Sequence, residues 1–390
     1  MSLICSQLKV SFKKIKNIFT ESSFESLIAI VNFVPNLAGF SIRRKKIAAP
    51  FWILHLSLLL YVYGVGCLVY QIKVADGAED FIKNFVNVSL LILIFNISWW
   101  WLNKRPLLLE TLQLIENSDV EARTTEENLR EKHNKMLHRI KIIVLIFYMT
   151  NCTNAACIYL PNRINVSNEY SMALCVGLEP ITVTPNGQIC SALLCIQELT
   201  IMIAVLNYQT LMLFIISHTA TMYHMLAEEL MSFNVYTNLA ENQALVKERL
   251  PIFIKRHSMI LSTCDNLKSL YSLSLGVDFG SNAICICLFF YLSLQEMVKY
   301  MPILIYCVLA FFLYCFLCQK LMTASEVFER AVYSCGWENF ALNEKKMIYV
   351  MLRQAQKPVI ILAADIVPVN MYTFATTLQT LFKFVTVVKL

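Results

Sequence analysis

Lys383 places a cation inside the apolar run Met371–Leu390, and its chemistry needs a setting. A lysine facing lipid costs about 2.5–3.5 kcal/mol on insertion scales, so it is expected to face water or a partner. Thr376, Thr380, Lys383 and Val387 recur at four, three and four residues, which aligns them on one helix face. Two hydroxyls and a charge leading to an apolar constriction make a wet path with a dewetting gate. The competing reading sends Lys383 snorkelling to an interface, as Lys389 does. The pore wall is the stronger reading.

Bond-making chemistry finds less support. The six histidines include His133 and His138, which are five apart and do not form a facing pair on a helix. No repeated histidine boxes suggest a di-iron or zinc lipid enzyme. Fourteen cysteines are present, but no CxxC pair meets a second at zinc spacing. Cys67, Cys285, Cys287, Cys307, Cys315 and Cys318 sit in apolar runs, where a free thiol behaves as a small hydrophobe. Cys175 and Cys190 share an outer loop and could bridge, although the reading leans towards free thiols. No catalytic residue, metal or cofactor is expected.

The elements that must position these residues follow from composition. Of the residues, 57% are hydrophobic and 15% charged, with a mean hydropathy of +0.57. That is too apolar for a soluble globule. Barrel-like alternation is absent, so helices must satisfy the backbone in lipid. The expected fold is an all-α membrane protein of seven spans: Ile47–Tyr70, Ile82–Leu102, Ile140–Leu160, Ile189–Ile216, Tyr271–Leu294, Pro302–Leu321 and Met371–Leu390. The fourth has an ambiguous start, because Thr182–Gly187 reads as a turn.

Residues 1–46, 103–141, 218–270 and 320–357 hold 27 of the 33 Lys and Arg residues, which predicts a cytoplasmic N-terminus and an extracellular C-terminus. The net charge of +6 is thus topological and implies no nucleic-acid partner. Met1–Phe40 lacks the apolar core of a signal peptide, so the first span is expected to direct insertion. A G-protein-coupled receptor has the opposite orientation, and its triplet after the third span and its Asn-Pro-x-x-Tyr are missing. An odd span number without an internal repeat argues against a transporter of inverted halves. The expected organisation is a cytoplasmic segment, 1–46, and six spans with cytoplasmic helical extensions, 47–322. A cytoplasmic anchor, 323–370, and the last span, 371–390, follow. Leu226, Leu230, Leu245, Leu250, Phe253 and Leu261 should pack the inner extensions together. Trp99-Trp100-Trp101, beside Lys104 and Arg105, reads as an interfacial aromatic belt. Pro358 should break a helix at Lys357, and Asn370 should cap the last one.

Five patterns in the second half carry a resemblance. His218 with Leu226 and Leu230, and His257-Ser258-Met259-Ile260-Leu261 with Leu267 and Tyr271, are the first two. Phe312–Gln319 ahead of Ala331, Tyr333 and Trp337 is the third; Gln356-Lys357-Pro358 and Pro368–Phe374 complete the set. In order and spacing these resemble the insect odorant receptors over roughly Gln197–Lys389. The family's glycine after Lys-Pro is Ala364 here, its serine cap is Asn370, and its Tyr-Ser-Tyr-Phe becomes Phe382-Lys383-Phe384-Val385. Gustatory receptors share the topology but end in a Thr-Tyr-led motif with Gln-Phe, whereas Tyr372-Thr373-Phe374 is inverted.

The resemblance implies a ligand-gated, non-selective cation channel in the plasma membrane of olfactory neurons. Four subunits, including a common olfactory co-receptor, would surround one pore lined by the last span. Tyr333 and Trp337 would belong to the subunit anchor. A small volatile odorant would sit between spans in their outer halves. Candidates are Phe85, Val88, Ser89 and Ile92 from the second span, and Asn151, Asn154, Ala155 and Tyr159 from the third. Gln197 and Thr200 come from the fourth, Phe290 from the fifth, and Tyr306, Cys307 and Ala310 from the sixth. Ordinary helix packing explains each aromatic taken singly; the convergence of polar groups in one layer is what suggests a cavity.

Overall fold

The structure, a computed structural model, describes residues 23–39, 41–43, 48–73, 77–123, 127–154, 156, 175–236 and 243–389. Short helices α1 (Phe24–Val31) and α2 (Phe33–Leu37) precede α3 (Ala49–Leu59), whose line continues through a π turn, Leu60–Val65, into α4 (Gly66–Lys73). Then come α5 (Ala78–Asn103), α6 (Arg105–Arg123), α7 (Glu127–Asn154), α8 (Asn186–Tyr236), α9 (Gln243–Phe289) and α10 (Leu294–Tyr333). The chain closes with α11 (Leu342–Ala355), a hairpin of β1 (Leu362–Ala363) and β2 (Val367–Pro368), and α12 (Met371–Lys389). The architecture is all-α, as the composition requires.

Among the described residues, four stretches are long and apolar enough to cross a membrane: Ala49–Ile72, Asn186–Ser232, Gln243–Phe289 and Leu304–Asn339. Asn87–Asn103 is a shorter apolar helix. The 51 residues of α8 rise about 76 Å, against a hydrocarbon core of about 30 Å. The excess protrudes at the lysine-rich and arginine-rich end, where Leu226, Leu230, Leu250 and Phe253 are buried. Burial there explains why those leucines interrupt a charged stretch. Arg256 on α9 joins Glu229 on α8 through bonds of 2.7 and 2.6 Å, with both side chains buried. The fifth apolar run stops at Phe289, five residues before its expected end at Leu294, where a turn leads into α10.

Local chemistry accounts for several boundaries. Ser23 and Ser26 form a reciprocal capping box that starts α1. Asn370 Oδ1 accepts from the Thr373 amide at 2.8 Å, so the expected cap on α12 is present. α11 ends at Ala355, just ahead of Lys357-Pro358.

Two expectations change. Trp100 and Trp101 lie in the core and not in an interfacial belt. Trp100 Nε1 donates to the Leu270 carbonyl at 2.8 Å, and Trp101 Nε1 to that of Ala204 at 3.0 Å. Successive helical residues are turned about 100° apart, so the two indoles reach different neighbours while Trp99 points outward. Secondly, Cys175 and Cys190 form a disulfide with a Cα–Cα distance of 5.8 Å. Both are buried in a small cluster with Leu59, Tyr63 and Leu194. Between α11 and α12, the hairpin of β1 and β2 is strapped to α9. The Ala364 amide donates to the Ser272 carbonyl at 2.8 Å, and the Asp365 amide to Ser272 Oγ at 2.9 Å.

Ala364 and Asp365 take φ of 52° and 58°, the left-handed pair that a type I′ turn demands. The hairpin lies so close to α9 that a Cβ on Gly276 would meet the Ala364 Cβ at 2.6 Å. Gly276→Ala should therefore cost about 1–3 kcal/mol by overpacking, and Ala364→Gly should restore part of it. Thermal unfolding of the two single variants and the double variant in detergent checks this coupling; strict additivity would refute it.

Candidate ligand-binding site

Five of the expected ligand residues fall into two neighbourhoods. In the first, Ser89 on α5 lies with its Oγ 2.8 Å from Cys285 Sγ on α9. Cys285, Ile286 and Cys307 form a buried cluster against which Phe290, Leu378 and Leu381 pack. Phe290 also meets Phe382 of α12, with ring centroids 5.4 Å apart. Three expected residues thus meet, Ser89 from α5, Phe290 just past the end of α9 and Cys307 from α10, and the last helix touches the same cluster.

The second neighbourhood lies between α3, α5 and α8. Cys190, Leu194, Gln197 and Ile201 recur at four, three and four residues and share one buried face of α8. Gln197 is 1% exposed. Both its amide atoms lack a hydrogen-bond partner among the described residues. Thr200, one turn on, is fully engaged: its Oγ1 lies 2.9 Å from His55 Nδ1 and donates to the Gln197 carbonyl at 2.8 Å. His55 Nε2 lies 3.1 Å from Ser98 Oγ. Among the described residues the Gln197 amide has unused hydrogen-bonding capacity, on the face of α8 whose Cys190, Leu194 and Ile201 join an apolar cluster with Leu59 and Tyr63. A buried unpaired amide is costly, so a ligand able both to donate and to accept would be favoured there.

The other candidates are scattered. Tyr306 accepts from Gln209 Nε2 at 2.9 Å, and the same nitrogen reaches Tyr314 at 3.0 Å. Ala310 is buried, Val88 is half-buried, and Phe85 and Ile92 lie on the exposed face of α5. Asn151 donates to its own helix at Phe147, 2.9 Å away, and Asn154 is half-buried. Ala155 and Tyr159 lie outside the described residues. His55, Ser98 and Gln209 were absent from the sequence-based candidates. The available signal was an isolated polar side chain in an apolar run, which was given weight only in the outer halves.

On α12, Thr380, Lys383 and Val387 are exposed and Thr376 is half-buried, while Val385 is buried. Thr376 and Thr380 return their hydroxyls to the carbonyls of Tyr372 and Thr376 at 2.9 and 2.8 Å. Tyr333 is exposed; Trp337 packs on the core and donates to the Tyr333 carbonyl at 3.1 Å.

The fold is similar to that of the insect olfactory receptor OR5 from Machilis hrabei, with a TM-score of 0.73 at 15% identity over 93% of this chain and 97% of that one. The structure of that receptor in complex with eugenol gives a TM-score of 0.72. Odorant receptor 67a of Drosophila melanogaster is 29% identical over 168 residues, 42% of this chain and 41% of that one. Odorant receptor 19a of the same fly is 27% identical over 133 residues, 33% of this chain and 34% of that one. The chain's matches thus span between a third and about two-fifths of these relatives' lengths. The family profile described as 7tm Odorant receptor matches residues 78–382, most of the length, and the chain belongs to that odorant receptor family.

Proposed function

We propose that this chain is the odorant-binding subunit of a ligand-gated, non-selective cation channel, assembled as a tetramer with a common olfactory co-receptor. It is a multi-pass protein of the plasma membrane. The observation that carries the ligand half is Gln197, whose buried and unpartnered amide lies in an apolar wall between helices. Small volatile ligands suit such a wall, and the amide selects those with a hydroxyl or carbonyl group. Seven spans with the N-terminus in the cytoplasm agree with the distribution of Lys and Arg.

The pore half rests on α12, whose Thr380, Lys383 and Val387 face outward from this subunit, where a shared axis would run. Val387, 73% exposed in the single chain, is the proposed constriction. Assembly is supported by exposed Tyr333, Leu342, Tyr349, Ile366 and Tyr372, apolar side chains clustered in the segment that joins α10 to α12.

The test is expression with and without the co-receptor in a heterologous cell, recording current against an odorant panel. Ligand-evoked inward current from the pair, and not from the co-receptor alone, is expected. Current that is the same with the co-receptor alone would sink the reading. Within that assay, Gln197→Leu should raise the half-maximal concentration for hydroxyl-bearing or carbonyl-bearing ligands about tenfold, the worth of about one hydrogen bond. Purely apolar ligands should be spared.

A further inference from the structure

Asp278 is the one acidic residue in the apolar run Tyr271–Leu294, and it is 1% exposed. Its Oδ1 accepts from Asn96 Nδ2 at 3.4 Å, and the same nitrogen reaches Ser274 Oγ at 2.9 Å and the Ser274 carbonyl at 3.3 Å. Oδ2 has no partner among the described residues, and neither do the hydroxyls of Tyr208 and Tyr271. The rings of these two tyrosines lie 5.6 Å apart. The groups around Asp278 come from four helices: Asn96 of α5, Tyr208 of α8, Ser274 of α9 itself, and Tyr306 and Tyr314 of α10. Tyr271 belongs to the same group of tyrosines. No lysine, arginine or histidine pairs with Asp278 among the described residues.

An ionised carboxylate away from water needs a countercharge, or it costs several kcal/mol. The unsatisfied atoms gathered here are oxygens, the ligands preferred by hard cations of the alkali and alkaline-earth type. With one carboxylate, a single positive charge balances the site. The geometry points to a binding site for a dehydrated monovalent cation, Na+ in type, held by Asp278, Ser274 and the hydroxyl of Tyr208. The site is separate from the Cys285 cluster, seven residues or about 10 Å further along α9. Ser272, which holds the hairpin leading into α12, lies two residues from Ser274 on the other side. A cation here would brace α9 between the ligand layer and the root of the last helix.

The experiment is thermal unfolding of the purified full chain in detergent, with NaCl exchanged for N-methylglucamine chloride at constant ionic strength and pH. Na+ should raise the wild-type Tm saturably, by about 3–5 °C. Asp278→Asn should abolish that dependence while remaining at least as stable as wild type without Na+. Ser274→Ala keeps the carboxylate and serves if the first variant does not fold; its half-saturating Na+ concentration should rise about tenfold. A wild type indifferent to Na+, an Asp278→Asn variant that keeps the shift, or an unchanged half-saturation in Ser274→Ala would each overturn the site. Stabilisation by acid alone, with no response to Na+, would assign a proton to Asp278 and also overturn it.

Discussion

Trp100→Ala should lower folding stability by about 3–5 kcal/mol, the cost typical of truncating a buried large aromatic. The indole stacks on Tyr271 at 5.3 Å and meets Tyr208 edge-on at 5.0 Å, so α5, α8 and α9 all lose a contact. The Leu270 carbonyl also loses its donor. Trp100→Phe separates the two effects: it retains most of the ring and should cost about 1 kcal/mol through the hydrogen bond, plus a smaller packing loss. Trp99→Ala is the control, because Trp99 is 36% exposed. Unfolding followed by size-exclusion chromatography in detergent should rank Trp100→Ala well below Trp99→Ala. Equal losses would return the three tryptophans to an interfacial belt.

Arg256→Met should be comparably severe, at about 3–5 kcal/mol, because it strands the Glu229 carboxylate without its countercharge. Both side chains are buried, and the pair ties α8 to α9 in their Lys/Arg-rich extensions. Glu229→Leu should be similarly harmful by leaving the guanidinium unpaired. The double variant Arg256→Met, Glu229→Leu should recover most of the loss, since a well-packed apolar pair often equals a buried ion pair. The surface pair Lys132–Glu228, 2.8 Å apart on exposed side chains, joins α7 to α8 nearby. Its removal should change stability by less than about 1 kcal/mol. Unfolding midpoints of the four proteins measure the coupling; a double variant no better than the worse single one would show that the pair contributes more than charge compensation.

Much of the architecture was legible because insertion into lipid leaves few choices. Long apolar runs separated by charged stretches must be helices, and the cap at Asn370 is a local property of a few adjacent residues. Leu226, Leu230, Leu250 and Phe253 already marked the extensions as packed, since apolar residues at helical spacing seek a partner. Trp100 misled because its neighbours Lys104 and Arg105 suggest an interface, whereas its rotation about α5 turns it inward.

The sequence by itself determined the membrane class, the helices and the spacing of residues on each. These depend on contacts within a few residues and on the solvent surrounding them. The tertiary structure alone decided which of those polar residues have partners. Thr200 is satisfied by His55, 145 residues away, whereas the Gln197 amide, three positions from it, has no partner among the described residues. Asp278 was visible as an acid in an apolar run, but its setting among Asn96, Ser274 and the tyrosines depends on four helices meeting at one depth. Hydrogen bonds extend only about 3 Å, so which groups they join depends on how the helices cross, and helix periodicity carries no record of that.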